Sequence, residues 1–420
     1  MKPEKPIIAA SVWPAMAQDY WAKGPMLFTN ACSPDLFPGQ WILELLQGVR
    51  QRLDEGKSAK LSLYNRDAVC RSAADHSERA NCGLAPYLPS SGHGTLDEFF
   101  ADLAGHREFE SFTLFLDRPH ALHTDMWLTM HDVLVELYQH LPMAELGVGS
   151  DIFIGNYQKT PFDVHKDDLH NLMFMTEGRR IMHFWPDQKG ESAPDQARKQ
   201  SFEVGAGDIL YWPPDYWHVG ENLQGVAASV NIDIWERSDQ SWARKSAEQA
   251  ISSVTTPILD LLDRSRVKHP STTEYSEALL ATQDGPEAAE TIAQQALDAI
   301  SGPMLAAKLN KDWIGRLSSA TLDRPIPPDT TLNLSAASHY KIRSDTQIVC
   351  VEHHGKLLLG CNGHVISKAN KNDWQEIVST VSAHEPFTSA ELLELAPGLE
   401  RHEIILLLQQ LLEYRVITPL

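Results

Sequence analysis

Apolar positions along the chain change period several times, and each change marks an element. Trp41, Ile42, Leu45, Leu46, Val49 and Leu53 recur at helical spacing, which predicts an amphipathic helix over Trp41–Leu53. Leu96–Leu103 and Asp125–Leu141 read the same way, with Asp125 as the N-cap of the second, and Phe112–Leu116 is a strand between them. Tyr20–Phe28 contains a short apolar strand after a turn, Ser33 and Pro34 start a helix, and Lys60–Tyr64 alternates as a strand does. Residues 66–95 are polar and irregular, so they are expected to be loop.

Beyond residue 150 short strand-like runs crowd together: Ser150–Tyr157, Asn171–Thr176, Arg179–Trp185, Ser201–Val204, Ile209–Trp212 and Val226–Trp235. Turns rich in Gly, Pro and Asp separate them, which predicts a small antiparallel barrel or sandwich. From Ser238 the pattern becomes helical and rich in Ala, Gln and Glu over Ser241–Leu262 and Glu274–Leu309. Pro325–Asp329 reads as a linker. The rest alternates strands (Gln347–Glu352, Lys356–Gly360) with helices (Asn372–Ser382, Thr388–Leu395, Glu400–Tyr414), an order that resembles a winged helix. The expected division is a catalytic unit over 1–237 with its barrel core from about 96, a helical unit over 238–325, and a winged-helix-like unit over 326–420.

Candidate chemistry concentrates between residues 163 and 218. His165 and Asp167 stand at i and i+2, the spacing that puts two side chains on one face of a strand, and His218 follows on a distant strand. Two histidines and one carboxylate suit a facial triad that holds non-haem Fe(II) and leaves coordination positions open. With 18 histidines in the chain a bare His-x-Asp pair is weak. His123 with Asp125, His76 with Glu78 and His106 with Glu108 are decoys in polar or helical surroundings. What distinguishes the His165 pair is the turn ahead of its partner: Gly207, five residues, Pro213, one residue, Asp215, two residues, His218, three residues, Asn222.

That run is similar to the second motif of the cupin superfamily, with Asp215 where the motif has glycine. The first cupin motif departs further, since the His-x-His pair and following Glu of four-ligand cupins become His165, Asp167 and then Asn171 and Leu172. Loss of the fourth ligand leaves room for oxygen and a bidentate 2-oxo acid. The pattern resembles the JmjC-type 2-oxoglutarate oxygenases. Within them Gly178, Arg179 and Arg180 look like a segment of the ribosomal oxygenases, and the N-terminal stretch Tyr20–Phe28 is similar to that family's first conserved segment. The resemblance implies a double-stranded β-helix with flanking helices, a helical dimerisation segment and a C-terminal winged helix. It implies Fe(II) on His165, Asp167 and His218, with 2-oxoglutarate and O2 completing the centre. Arg180, 15 positions after the first ligand, would hold the far carboxylate of 2-oxoglutarate, and a guanidinium is a bidentate fork for a carboxylate.

Alternation adds further candidates. Ser229, Asn231 and Asp233 share one face of their strand, which points either into the lumen or out to solvent; pointing inward, Asn231 and Ser229 reach the cosubstrate. Asn156 and Tyr157, ahead of the ligand pair, are candidates for the substrate mouth.

Bulk properties narrow the partners. At 420 residues two or three domains are expected, and 43% hydrophobic with 22% charged residues is a globular composition. A net charge of −20 argues against non-specific nucleic-acid binding and suits a basic protein or peptide substrate. Five scattered cysteines, a start without an apolar signal segment, and no long apolar run point to a reducing cytoplasm and no membrane. The expected reaction is hydroxylation of a protein or peptide side chain, with release of succinate and CO2. The alternatives are a non-catalytic cupin regulator whose winged helix binds DNA, and N-methyl-lysine demethylation by the same centre. The last helix, Glu400–Tyr414, is acidic and apolar, so it lacks the basic and amide groups a recognition helix needs.

Overall fold

A computed structural model describes residues 8–57, 59–65, 68–72, 84–106, 111–144, 146–157, 160, 162–186, 198–223, 225–236, 252, 302–325, 339–343, 346, 348–369 and 372–420. The helices expected over 241–251, 253–262 and 274–301, and the linker over 326–329, lie outside the described residues.

The described chain is mostly antiparallel β. An eight-stranded sheet is built from β1 (Met26–Phe28), β2 (Leu61–Asn65), β3 (Ala68–Ser72), β4 (Phe112–Asp117), β5 (Gly147–Gly155), β6 (His170–Glu177), β9 (Ile209–Trp212) and β11 (Ala227–Trp235), in the order β1-β9-β6-β11-β5-β4-β2-β3. A second sheet has the order β10-β7-β8, from β7 (Arg179–Trp185), β8 (Gln200–Gly205) and β10 (Trp217–Asn222). The two sheets face each other: Met173, Met175, Leu210 and Trp212 of the large one pack with Met182, Phe184 and Val204 of the small one. β11 lies at the centre because it is apolar on one face and small or polar on the other, and it pairs with β5 and β6 along nearly its whole length.

The outer face of the large sheet is covered by helices α1 (Gly39–Asp54), α2 (Leu96–Gly105) and α3 (Thr124–Leu137). Their stripes, Ile42, Leu45, Leu46 and Val49 in α1 and Met126, Met130, Val133 and Leu137 in α3, are buried with Ile152, Ile154, Val230 and Ile232 of the sheet. This burial is the main stabilising term, at roughly 25 cal/mol per Å2 of apolar area removed from water. The expected cap of α3 is corrected: His123 is the N-cap, its ring Nδ1 accepting the Met126 N–H at 3.2 Å. Asp125 lies in the first turn and pairs with Arg343 at 3.6 Å. The loop reading of 66–95 is corrected as well, since it contains β3, an edge strand on β2, and a 3-10 turn at Ala85–Tyr87.

Helix α4 (Gly302–Ser318) and the turn after it join the large sheet to the C-terminal part. The backbone of Thr321 accepts from Val148 at 3.0 Å, and the Trp127 indole donates to Asp323 O at 2.8 Å. The C-terminal part has two three-stranded sheets, β16-β12-β17 and β13-β14-β15, from β12 (His339–Ile342), β13 (Val349–His353), β14 (Lys356–Cys361), β15 (His364–Ala369), β16 (Phe387–Thr388) and β17 (Ile417–Pro419). Helices α5 (Asn372–Ser382), α6 (Ser389–Leu395) and α7 (Arg401–Glu413) complete it. A separate core formed by Trp374, Ile377, Leu392, Leu407, Leu408 and Leu411 holds this part together. No helix among the described residues is long and apolar enough to cross a membrane.

Candidate metal centre and anion pocket

His165, Asp167 and His218 come together at the mouth between the two sheets. The ligand-capable atoms of the three lie within 4.8 Å of one another, the only such group of three or more found among the described residues. Local backbone explains the convergence. His165 and His218 form an isolated antiparallel bridge, His165 N to His218 O at 3.1 Å and His218 N to His165 O at 2.7 Å, which sets their rings 4.3 Å apart. Asp167 Oδ2 lies 3.4 Å from His218 Nε2. Asp163 (φ 55°) and Asp215 (φ 69°) both adopt the left-handed conformation just ahead of the two histidines. Aspartate is among the few residues besides glycine that tolerate this region.

The ring orientations favour metal binding. His165 Nδ1 donates to Asp163 O at 3.0 Å and His218 Nδ1 to Tyr216 O at 3.1 Å, which leaves both Nε2 lone pairs free for an ion. His218 is 4% exposed, and burial, with His165 beside it, pulls its pKa down to about 4 against the opposing pull of Asp167. The imidazole is therefore neutral at physiological pH, as a metal ligand must be.

The triad lines a cavity of about 70 Å3 that is partly open to solvent. Arg180 projects into it from β7 and is only 2% exposed. Its Nε donates to Asn222 Oδ1 and its Nη1 to Ser229 Oγ, both at 3.1 Å, while Nη2 is buried with no partner. The guanidinium lies 5.5 Å from the Tyr157 ring centre and 5.8 Å from that of Phe153. The Tyr157 and Thr160 hydroxyls, which also line the cavity, are buried and unpartnered. Burial holds the Tyr157 pKa above its ordinary value, against the pull of Arg180, so the phenol remains a donor. One end of the cavity thus carries a positive charge and three donors, Arg180 Nη2 and the Tyr157 and Thr160 hydroxyls, that meet no acceptor among the described residues.

Other sequence candidates fall into place differently. Arg179 points outward and pairs with Glu203 at 2.6 Å. Asn231 lines the cavity and donates through Nδ2 to Asp151 at 2.6 Å, while Ser229 touches Arg180. Asn156 is not among the residues that line the cavity: its Oδ1 accepts the Phe112 N–H at 2.7 Å and closes the start of β4. Tyr157, expected at the mouth, is 4% exposed and sits beside Arg180 instead. Tyr157 continues the inward-facing row of Asp151 and Phe153 past the end of β5, and its ring lies over Gly155, where a Cβ would collide with it. Asn222, Thr160 and Asp151 escaped the sequence reading. Asn222 carried a signal in its place as the last residue of the cupin-like run, and its side chain braces Arg180 against the Gly155 carbonyl.

No protein-family model matches the chain, and no curated protein matches it. Among solved structures, it is similar to the X-ray structure of Escherichia coli YcfD at 12% identity and TM-score 0.48, over 97% of this chain and 98% of that one. A structure described as the ribosomal oxygenase YcfD from Escherichia coli in complex with cobalt and 2-oxoglutarate matches at 13% identity and TM-score 0.47, with the same coverage. A third, the non-haem α-ketoglutarate-dependent carbocyclase SnoK of nogalamycin biosynthesis, matches at 15% identity and TM-score 0.23, over 29% of this chain and 62% of that one.

Proposed function

We propose that this chain is an Fe(II)- and 2-oxoglutarate-dependent oxygenase that hydroxylates a side chain of a protein or peptide, releasing succinate and CO2. One observation carries the reading: the three-ligand group and a buried guanidinium with an unpartnered Nη2 share one cavity. The donor set fits the metal, since two imidazole nitrogens and one carboxylate on one side would leave the opposite positions free. The anion end fits a dicarboxylate, since Arg180 Nη2 and the Tyr157 and Thr160 hydroxyls are donors without acceptors among the described residues, and a buried charge with no counter-charge is costly to keep without a ligand to meet it. When bound, the iron supplies oxygen activation coupled to oxidative decarboxylation of the 2-oxo acid.

The chain's own residues bind, aim and exclude. His165, Asp167 and His218 hold the ion. Arg180 grips the far carboxylate of 2-oxoglutarate, with Ser229 and Asn222 fixing the plane of the guanidinium so that its third nitrogen faces the ligand. Phe153, Met173, Met182 and Trp212 keep the cavity walls apolar, which keeps water away from the reactive centre. Phe162, 37% exposed and 5.9 Å ring to ring from His165, stands on the solvent side.

The same reading assigns the facing sheets to a double-stranded β-helix within a catalytic unit over 1–237. It also assigns a helical dimerisation unit over 238–325 and a winged-helix-like unit over 326–420. Support for the last is the sequence of three helices and short antiparallel strands around one core. Helix α7 turns its apolar stripe into that core, which favours a packing role over nucleic-acid reading. A basic polypeptide substrate and a cytoplasmic setting follow from the charge of −20 and the absence of any cysteine framework. The test is incubation of the purified protein with Fe(II), 2-oxoglutarate and basic peptides, reading succinate and peptide mass together. Gain of one oxygen atom supports hydroxylation, loss of a methyl group gives demethylation, and succinate formation undiminished in His165→Ala overturns the reading.

A further inference from the structure

Beyond Ser229, the large sheet holds two carboxyl groups in direct hydrogen-bond contact: Asp151 of β5, which lines the cavity, and Asp233 of β11 beside it. Each is bound by one amide. Asn231, directly across from Asp151 in the ladder, donates to it through Nδ2 at 2.6 Å, and Asn171, across from Asp233, donates to that carboxyl through Nδ2 at 2.8 Å. Asn171, Asn231 and Asp233 are 4%, 4% and 8% exposed. The remaining oxygens of both amides are buried, have no partner, and belong to residues that line the cavity.

We infer that Asp151 and Asp233 are positioning residues that share a single proton and so hold Asn171 and Asn231 with their nitrogens in the wall and their oxygens facing the cavity. Two ionised carboxylates at hydrogen-bond distance repel, and burial penalises each charge. One proton between them removes the repulsion and leaves every outward carboxyl oxygen an acceptor, which only the NH2 end of an amide can meet. The nearby charges do not supply an alternative. Asp117 on β4 is already neutralised by Lys60 at 2.9 Å, and Asp167 adds negative charge from the metal side. Arg180, on the facing sheet, is bonded to Asn222 and Ser229. Burial lifts Asp151 to about 7 and Asp233 well above the ordinary carboxylate range.

The consequence rests on the oxygenase reading and deepens it. The cavity has a donor end for the dicarboxylate and an acceptor end, made by Asn171 and Asn231, that takes an N–H-bearing group of the substrate. Asp233→Asn imitates the protonated partner, because its NH2 donates to Asp151 while its oxygen still accepts from Asn171. The test compares wild type, Asp233→Asn and Asp151→Asn by infrared spectroscopy and by thermal melting from pH 5 to pH 8. Acids whose folded pKa is raised favour the folded state least at high pH, so wild-type melting temperature declines across this range. Asp233→Asn flattens that decline and removes the carbonyl-stretch band of a buried protonated carboxyl that wild type shows at pH 6. Where activity is measurable, Asp151→Ala raises KM for the peptide at least tenfold and changes KM for 2-oxoglutarate less than threefold. A wild type without the protonated-carboxyl band, or an Asp233→Asn variant with an unaltered pH profile, overturns the shared proton. Neither measurement needs turnover, so both decide the matter even if the protein proves not to be an oxygenase. If Asp233→Asn does not fold, the band and melting profile of Asp151→Asn decide it by the same outcomes.

Discussion

Replacing Arg180 with methionine should leave the ligand-free protein close to its present stability and disable it at once. The guanidinium is 2% exposed, and among the described residues no carboxylate pairs with it. An uncompensated buried charge costs several kcal/mol even after relaxation. Against that stand two hydrogen bonds from a charged donor, each worth about 1.5–3 kcal/mol, and weak attraction to the rings of Tyr157 and Phe153. Methionine fits the apolar neighbourhood of Met173 and Met182 and removes the charge. It leaves Asn222 Oδ1 and Ser229 Oγ to find other partners, at a cost of about 1–3 kcal/mol together. The terms nearly cancel, so the melting temperature of the ligand-free variant should stay within a few degrees of wild type. Added 2-oxoglutarate with Mn(II) should raise the melting point of wild type and leave that of Arg180→Met unmoved. Loss of a buried charge-assisted pair at roughly 3–4 kcal/mol weakens cosubstrate binding by about 10²–10³-fold, read by calorimetric titration. A folded variant that still binds 2-oxoglutarate within threefold of wild type would refute the assignment of this pocket to a carboxylate.

Three further outcomes follow from neighbouring geometry. Asn222→Asp places a carboxylate against Arg180 Nε, now 3.1 Å from the amide oxygen; it should stabilise the ligand-free protein and raise KM for 2-oxoglutarate by about tenfold as the internal carboxylate competes. Asp215→Val should lower stability by about 1–2 kcal/mol, because a β-branched residue is strained at φ 69°, whereas Asp215→Gly should match or exceed wild type; thermal melting separates them. His120 is wholly buried against Ser150 at 2.5 Å, and burial, with Arg118 nearby, pulls its pKa down to about 3. Since the unfolded imidazole titrates near 6.5, its neutral form supports the fold fully above about that pH and the support is lost as pH falls toward 3. His120→Gln should therefore make the acid limb of the melting profile shallower between pH 6.5 and 4, and an unchanged limb would count against a neutral buried ring.

The parts of the molecule that can be read from its sequence are those where one local rule decides the outcome. Helices α1 and α3 fall close to the spans their apolar spacing predicts, and β7 has the same bounds as its alternating run, with Arg180, Met182 and Phe184 turned inward together. The turn before His218 is legible because a left-handed residue at 215 is a backbone requirement that leaves a mark in residue type. Tyr157 lies deep in the cavity rather than at its mouth because the alternation of Asp151 and Phe153 carries on past the end of β5, while the depth at which the row ends is set by Arg180 on the facing sheet and leaves no mark in residue type. Strand β3 and the strand His339–Ile342 were hidden because they are short and polar, and exist through their partners rather than through their own propensity. His123 displaced Asp125 as a cap because an imidazole nitrogen accepts a backbone N–H as well as a carboxylate does, which no cap preference anticipates. The acid pair is the clearest limit: alternation puts Asp233 on a polar face, but only the register between β5, β11 and β6 brings Asp151 and two amides to it.

The most direct test of the whole account is titration of the purified, metal-stripped protein with 2-oxoglutarate, without and with Mn(II), beside His218→Ala. A metal centre that shares its cavity with an anion pocket predicts tight, one-to-one cosubstrate binding that depends on the ion and is lost in the variant. Binding of equal strength without metal, or undiminished in His218→Ala, would contradict it.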